Sequence, residues 1–173
     1  HDVQFLAQPG PAAMEAAGEA SWSNATHLLI NDPEHPRFGS YLRGADLGWP
    51  LPAAAPAEPG KEPVAPVDVY VVQRADGQLA PHTAPEAAEL FVERTVEAPA
   101  LGAPVAVCTA LFKLREQARA QTLDEYAALC GVPRAQIEEL AQEFTSHGKR
   151  AVADAHGGTM SGSGFYTAYA IAM

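Results

Sequence analysis

The sequence predicts an α/β fold: a fragment of an α/β/α sandwich with a mostly parallel sheet, plus a proline-rich insertion and a small β-hairpin. Two observations in the second half favour this class. Short apolar runs rich in β-branched residues alternate with segments at helical spacing, and a glycine-rich loop follows the last of these runs. Strands separated by helices are typical of parallel sheets, because a parallel crossover needs a dozen or more residues.

Composition and charge argue against several classes of function. Of the 173 residues, 47% are hydrophobic and 18% are charged, as in ordinary globular proteins. The net charge of -10 argues against a nucleic-acid partner or an anionic membrane surface, since both need a dense basic face. No apolar run approaches the roughly 18 residues of a membrane span.

The first half begins with a short helix and a short strand. Residues 11–20 are rich in Ala and Glu behind Pro11, and Gly18 is expected to end the helix they form. Residues 26–30 form a β-like run, closed by Asn31-Asp32-Pro33. Prolines then recur through residues 31–66, which predicts an extended surface segment.

Residues 67–73 are β-branched and aromatic, and Asp76-Gly77 is a turn signal directly after them. This pattern predicts a hairpin. Its return strand lies either near residues 79–82 or displaced to residues 90–96.

A strand at residues 104–109 is expected to lead into a helix over residues 110–120. Thr122 and Glu125 form a capping box for the next helix, residues 123–130, which Gly131 ends. A further helix begins at Pro133. Its positions at i, i+3, i+4 and i+7 predict one buried stripe, formed by Ile137, Leu140, Ala141 and Phe144.

The end of the chain is predicted to run strand, loop and helix. Residues 150–156 are small and apolar, residues 157–164 are half glycine, and Phe165, Tyr169 and Met173 recur at helical spacing. The loop spacing matches no standard nucleotide fingerprint. Two interpretations stay open: a tight connection, or a loop whose backbone approaches an anionic ligand at the sheet edge.

From these patterns we divide the chain into three regions. Residues 1–49 are the N-terminal part of the α/β region, residues 50–100 are the proline-rich insertion and hairpin, and residues 101–173 are the α/β half with the glycine loop. The chain begins without methionine and stops inside an apolar helical pattern, so we expect a piece of a larger protein.

The cysteines and scattered histidines do not predict a metal site. Cys108 and Cys130 belong to no cluster of cysteines or histidines. They are expected to be either two buried free thiols or, if the protein is exported, a disulfide. We expect surface or capping roles for the histidines outside the glycine loop, because none shows the i, i+4 pairing of a zinc site. These are His1, His27, His35, His82 and His147.

Several long runs resemble one known family, the molybdopterin oxidoreductases, also called the dimethyl sulfoxide reductase family. They are residues 5–14, 22–28, 126–133, 143–150 and 156–160, with Gly164-Phe165-Tyr166 after them. The likeness covers nearly the whole chain, is weakest in residues 50–66, and extends to the catalytic subunits that reduce tetrathionate.

The resemblance implies a fragment of a molybdenum-dependent catalytic subunit that is not catalytic alone. The intact subunit would carry bis(molybdopterin guanine dinucleotide) molybdenum and a [4Fe-4S] cluster with ligands outside this fragment, and would reduce tetrathionate to thiosulfate. Its partners would be an iron–sulfur electron-transfer subunit plus a membrane anchor subunit, on the periplasmic side of the cytoplasmic membrane. Other sulfur-oxyanion, polysulfide or arsenate reductases remain alternatives, as does a non-catalytic binding or scaffold domain.

By position, the resemblance assigns cofactor binding to the glycine loop and no catalytic or metal-ligating residue to this chain. The residues are His156, Gly157, Gly158, Thr159, Met160, Ser161, Gly162 and Ser163. Backbone N–H groups and hydroxyls of the loop would bond pterin, phosphate or substrate oxygens. His156 either attracts an oxyanion or is hydrogen-bonded at a strand end. Met160 is expected to pack rather than ligate.

Overall fold

The structure is a computed structural model that describes residues 3–19, 22–52 and 66–152. The chain divides into two compact units, His1–Gln121 and Thr122–Met173, and each is treated separately below. No helix among the described residues is long and apolar enough to cross a membrane.

The described part of the first unit contains three helices and five short strands. The helices are α1 Val3–Leu6, α2 Pro11–Ala17 and α3 Ala110–Ala118. The strands are β1 Leu28–Ile30, β2 Val71–Gln73, β3 Leu79–Pro81, β4 Glu93–Val96 and β5 Val105–Thr109. Helix α2 begins at Pro11 and ends at Gly18, whose φ of 74° closes the helix as predicted.

The main sheet has three strands in the order β1-β5-β4, and both pairings are antiparallel. In the register, Leu28 faces Thr109 and Glu93 faces Cys108. The prediction of a mostly parallel sheet is therefore wrong for the strands that the structure describes. Strands β4 and β5 are joined through a single 3₁₀ turn, Pro99–Leu101, and so short a connection cannot carry a strand across to parallel pairing.

The predicted hairpin is confirmed in β2 and β3, with Gln73 facing Leu79. Gly77 lies at φ 80° in the turn, and Asp76 Oδ1 accepts the Gln78 N–H at 3.0 Å. The alternative prediction, a return strand displaced to residues 90–96, is wrong, because β4 pairs with β5 instead of β2.

The core of the first unit lies on the three-stranded sheet and β2. Its main cluster of buried side chains is aliphatic: Leu28, Ile30, Leu42, Val71, Val92, Val96, Ala98, Val105 and Val107. Thr109 joins this core to α3, because its hydroxyl donates to the Leu90 carbonyl at 2.6 Å and accepts the Phe112 N–H at 3.4 Å. One buried hydroxyl thus caps a helix and fixes the strand before it.

The described part of the second unit is a helix pair, α4 Leu123–Cys130 and α5 Arg134–Ser146, followed by a 3₁₀ turn, Gly148–Arg150. The capping box is confirmed: the Thr122 hydroxyl accepts the Glu125 N–H at 3.3 Å, and Glu125 Oε2 accepts the Thr122 N–H at 2.6 Å. Gly131 ends α4 at φ 67°.

The predicted buried stripe of α5 is not buried by any described residue. Leu140 is 68% exposed and Phe144 is 45% exposed, because one neighbouring helix cannot cover the apolar face of another. The predicted strand at residues 150–156 extends beyond Val152, where the described residues end, so the position of that strand stays a prediction.

Candidate functional site: an aromatic cluster around His27

The glycine-loop residues assigned to cofactor binding, His156 to Ser163, lie outside the described residues, and their role stays a prediction. The described residues do bring together two other runs that carry the family resemblance, residues 5–14 and 22–28. They meet at His27, whose ring is 1% exposed and whose Nε2 lies 2.9 Å from the Pro9 carbonyl oxygen.

Local structure sets this meeting point. Pro9 comes directly before the turn into α2, and His27 immediately precedes β1. Gly10 follows Pro9 in extended conformation. A Cβ on Gly10 would overlap the carbonyl oxygen of His82, whose backbone passes close by. Only a glycine allows this close approach of two backbones.

Two rings and a guanidinium form a stack with the His27 ring. Its ring lies parallel to Trp22 on one side, with centroids 5.7 Å apart, and to Tyr70 on the other, at 4.8 Å. The Arg43 guanidinium covers the outer face of Tyr70, with Cζ 4.0 Å from the ring centroid. We call the set formed by these four residues, Tyr41 and His82 the aromatic cluster.

Tyr41 and His82 close the edges of the stack. Tyr41 meets the His27 ring edge-on at 5.7 Å, and His82 does so at 5.4 Å. His82 is fixed by the backbone of Tyr70: the Tyr70 N–H donates to His82 Nδ1 at 3.1 Å, and the His82 N–H donates to the Tyr70 carbonyl at 2.9 Å. Edge-to-face contacts of this kind hold the rings in one arrangement.

The hydrogen bonds determine the tautomer of His27. A carbonyl oxygen only accepts, so Nε2 carries the proton and Nδ1 of the neutral ring holds a lone pair. No described group bonds to Nδ1. Burial lowers the pKa of His27 to about 4, opposed by the hydrogen bond to the Pro9 carbonyl and reinforced by repulsion from His82, when His82 is protonated, and from Arg43. The ring is therefore neutral at pH 7.

Burial also lowers the pKa of His82, and the nearby Arg43 charge acts in the same direction. A proton on Nδ1 would end the bond from the Tyr70 N–H. Burial thus favours the neutral form of both histidines of the aromatic cluster.

An ion pair supports the Arg43 side of the cluster. Asp46 Oδ1 lies 2.6 Å from Arg37 Nη1, and its Oδ2 accepts the Arg43 N–H at 2.9 Å. Arg37 also donates to the Tyr41 carbonyl at 3.2 Å. Asp46 thus links the backbones that carry Tyr41 and Arg43.

The hydrogen bond and ring contacts of the aromatic cluster position the backbone of residues 8–11. An imidazole whose pKa lies near 4 is a poorly matched general acid or base at pH 7. No group of three or more His, Cys, Asp or Glu that could hold a metal ion occurs among the described residues. The aromatic cluster therefore fixes the approach of residues 8–11 to β1.

The prediction of a surface or capping role for His27 is wrong, because the ring is buried before β1 and caps no helix. The available signal was its place at the start of the apolar run 26–30, five residues after Trp22. The partners Tyr41, Tyr70 and His82 lie too far along the chain for local spacing to reveal them.

The expectation of two buried thiols is half confirmed. Cys108 is free and buried, and burial raises the pKa of its thiol. Cys130 is free but exposed, because it ends α4 on the uncovered side of the helix pair. The two do not form a disulfide.

Comparison with known proteins identifies the class. Over all 173 residues the chain is 39% identical to a segment of one reductase, and over 172 residues it is 28% identical to a segment of another. The chain therefore belongs to the molybdopterin oxidoreductase family, as the sequence runs predicted. No family model matches the chain, and no solved structure is significantly similar to it.

The first of these relatives is the A subunit of tetrathionate reductase from Salmonella typhimurium, and the second is the A subunit of selenate reductase from Mesobacillus selenatarsenatis. The A subunit of tetrathionate reductase from Archaeoglobus fulgidus is 28% identical over 144 residues, 83% of this chain. The chain spans 15% of the length of the first two relatives and 11% of the third.

Proposed function

We propose that this chain is a segment of the catalytic subunit of a molybdenum-dependent reductase that converts tetrathionate to thiosulfate. The observation that supports it is the 39% identity, along the whole chain, to the A subunit of a tetrathionate reductase. In the reaction one sulfur–sulfur bond of the dianion accepts two electrons and breaks, giving two thiosulfate ions. No proton is consumed.

The cofactor would supply the electron transfer, and the protein would supply binding and orientation. Bis(molybdopterin guanine dinucleotide) carries phosphates, and the glycine loop has donors that suit them. Without a Cβ at Gly157 and Gly158 the backbone N–H groups can lie close to an anion, and Thr159, Ser161 and Ser163 add hydroxyls. His156 in its protonated form would attract the substrate dianion.

In this proposal the aromatic cluster holds part of the backbone in a fixed position. Its rings tie residues 8–11 to the strand that begins at Leu28, and burial favours the neutral form of both its histidines. The reacting groups would therefore come from the cofactor and from segments beyond this chain. The segment by itself is expected to show no turnover.

The remaining parts of the proposal concern the intact enzyme. Electrons would reach molybdenum through a [4Fe-4S] cluster whose ligands lie outside residues 1–173. They would come from an iron–sulfur subunit held by a membrane anchor subunit, with the catalytic subunit on the periplasmic side of the cytoplasmic membrane.

Selenate reduction is the second candidate, because the chain aligns over 172 residues, at 28% identity, with the A subunit of a selenate reductase. This reaction differs in stoichiometry: selenate takes two electrons and two protons and yields selenite and water. Proton uptake per product therefore separates the two reactions without any structural information.

The test uses the complete subunit that contains this chain, purified with its cofactors and supplied with a reduced viologen dye. We expect oxidation of two dye equivalents per tetrathionate and release of two thiosulfates without proton uptake. Selenite formation with proton uptake would instead establish the selenate reaction. If neither oxyanion is consumed by molybdenum-loaded enzyme, both candidates fail and a binding or scaffold role remains.

The loop assignment is tested separately by molybdenum content. Replacing Ser161 and Ser163 together by Ala removes two hydroxyl donors, and we expect the bound molybdenum per subunit to fall several-fold because charge-assisted bonds to phosphate are among the stronger contacts. The matched control is Ser146→Ala on the exposed end of α5. Equal metal content in both variants contradicts a cofactor role for the loop.

A further inference from the structure

An open apolar groove lies between α4 and α5, with a volume of about 990 Å³. Its apolar lining comes from both helices and the turn between them: Leu123, Tyr126, Cys130, Val132, Ile137 and Leu140. The three residues on α4 recur at i, i+3 and i+7, so they form one row that is about two helical turns long.

The depth of the groove indicates what kind of molecule fits it. A site for a small molecule buries most of its ligand, typically about 70–90% of the ligand surface. Leu140 lines the groove and is nevertheless 68% exposed, so the groove is shallow at this point. A shallow apolar groove between two helices suits an amphipathic helix, which buries one face in the groove and keeps the other in water.

One wall of the groove is acidic. Gln136, Glu139 and Glu143 line it and recur at i, i+3 and i+7 along α5. No Lys or Arg belongs to the lining that the structure describes. The carboxylate of Glu139 bonds to no described group, and that of Glu143 meets the exposed His147 ring at 2.8 Å. The wall therefore presents two carboxylates to an occupant of the groove.

Arg134 at the start of α5 does not neutralise this wall. Its Nη1 lies 2.9 Å from Asp124 Oδ2 and its Nε lies 2.9 Å from Glu138 Oε1, and neither of these acids lines the groove. The complementary positive charge has to come with the occupant, because a negative charge placed beside the wall would be repelled.

We propose that the groove between α4 and α5 docks an amphipathic helix of another polypeptide, with an apolar face and Lys or Arg residues along one edge of that face. Its apolar side chains would cover Leu123 and Leu140, and its basic residues would lie along Glu139 and Glu143. Two to three turns of helix suffice, since the rows on α4 and α5 are each about 10 Å long. The proposal does not depend on the proposed reaction.

Charge also favours a separate polypeptide over a second copy or the end of this chain. Two copies that faced each other through this groove would bring their Glu139 and Glu143 walls together, and like-charge repulsion disfavours that pairing. Residues 151–173, which follow the helix pair in the sequence, contain no Lys or Arg and so lack a basic edge.

The two cysteines provide a direct measurement of docking. Cys130 is exposed and lines the groove, so a docked helix shields its thiol. Cys108 is buried in the first unit with a raised pKa and serves as the internal control. The full 173-residue chain is labelled with iodoacetamide at pH 7.5, and mass spectrometry of peptides follows each cysteine.

The probe is a synthetic 14-residue peptide with leucines at i, i+3, i+4 and i+7 and lysines beside them. One control peptide has glutamates in place of the lysines, and a second has the same composition in scrambled order. We expect the lysine peptide to slow the labelling of Cys130 at least about fivefold when it saturates the groove. The glutamate peptide should need at least about tenfold higher concentration for the same effect, because the acidic wall repels it.

Paired substitutions locate the contact. Glu139→Gln should weaken protection by the lysine peptide about twofold to threefold, whereas Gln142→Lys, the same change in net charge outside the groove, should not. Glu139→Lys together with Glu143→Lys should reverse the preference in favour of the glutamate peptide. Leu140→Gln should weaken protection, whereas Leu129→Gln should not, because Leu129 is 71% exposed and does not line the groove.

The peptides on the unsubstituted chain decide the proposal even if a variant fails to fold. Equal protection by the lysine peptide and either control peptide overturns it, as does no protection by the lysine peptide at about 1 mM. Protection without peptide that appears as the chain is concentrated from about 1 to 100 µM identifies a second copy as the occupant and overturns it. Cys130 that already reacts slowly at about 1 µM without peptide means that the chain fills its own groove, which also overturns it. Failure of the oxyanion assay leaves the docking result standing.

Discussion

At the scale of single residues, His27 shows how burial changes the behaviour of a side chain. The ring is 1% exposed between Trp22 and Tyr70, and its Nε2 proton satisfies the Pro9 carbonyl. Charging such a ring costs its hydration, and repulsion from Arg43, and from His82 when it is protonated, adds to that cost. The neutral form is therefore part of the native structure of the first unit.

This makes the stability of the first unit depend on pH. The pKa of His27 is lowered from 6.5 to about 4 on folding, so the unfolded chain binds more protons between these values. The stabilisation is fully present above pH 6.5 and is lost as the pH falls towards 4. The loss amounts to about 3 kcal/mol, and lowering of the His82 pKa adds to it.

Urea unfolding followed by tryptophan fluorescence measures the pH dependence, because both tryptophans, Trp22 and Trp49, lie in the first unit. His27→Phe keeps an aromatic ring in the stack and should flatten the loss between pH 6.5 and 4. The exposed His147 lies in the second unit, and His147→Asn should leave the profile unchanged. An unchanged profile in His27→Phe contradicts the assignment.

Two buried threonines give a second prediction at this scale. Both are 0% exposed, but the Thr26 hydroxyl bonds to no described group, whereas the Thr109 hydroxyl bonds to the Leu90 carbonyl and the Phe112 N–H. Thr26→Val should be neutral or stabilise by up to about 1 kcal/mol, and Thr109→Val should destabilise by about 1–3 kcal/mol. Equal losses in urea unfolding would contradict this contrast.

At the scale of elements, helix ends and turns follow local chemistry. Thr122 and Glu125 cap α4 reciprocally, Gly131 ends it in the left-handed region, and Pro11 and Gly18 bracket α2. Each depends on residues within four positions of the chain. The hairpin belongs to the same group, because the Asp76-Gly77 turn supplies the positive φ that it needs.

Removal of the α4 cap gives the prediction for this scale. Thr122→Ala leaves the Glu125 N–H without its acceptor and should cost about 1 kcal/mol of helix stability. Hydrogen exchange of amides 123–130 measures it, and protection should fall about fivefold. Thr145→Ala is the control, since that hydroxyl bonds back to the Ala141 and Gln142 carbonyls within α5 and caps no helix end.

At the scale of the whole molecule, the chain is two units with different degrees of burial. The first has an aliphatic core on a three-stranded antiparallel sheet, and the described part of the second is a helix pair with an uncovered apolar groove. The core of the first unit should therefore set the stability that tryptophan fluorescence reports.

Leu28 tests this division, because it is a 0% exposed member of the core. Leu28→Ala should lower the free energy of unfolding reported by Trp22 and Trp49 by about 2–5 kcal/mol. Leu129→Ala, at a 71% exposed position of the second unit, should leave that transition in place. A similar loss in both variants means that the units do not unfold independently.

The sequence determined the local elements and the family. Caps, turn residues and helical periodicity act within about four residues, so α2, α4, the β2–β3 hairpin and β5 were predictable, as was the family membership carried by long runs. The glycine loop remains a prediction from the same kind of pattern.

Only the tertiary structure decided how the strands pair and which side chains are buried. Antiparallel pairing of β5 with β1 and β4 brings residue 28 against residue 109, and the partners of His27 come from positions 9, 22, 41, 70 and 82. Burial depends on such long-range contacts, which local periodicity does not specify. For this reason the same pattern logic that located the helices misjudged the buried histidine, and no described residue buries the stripe it predicted on α5.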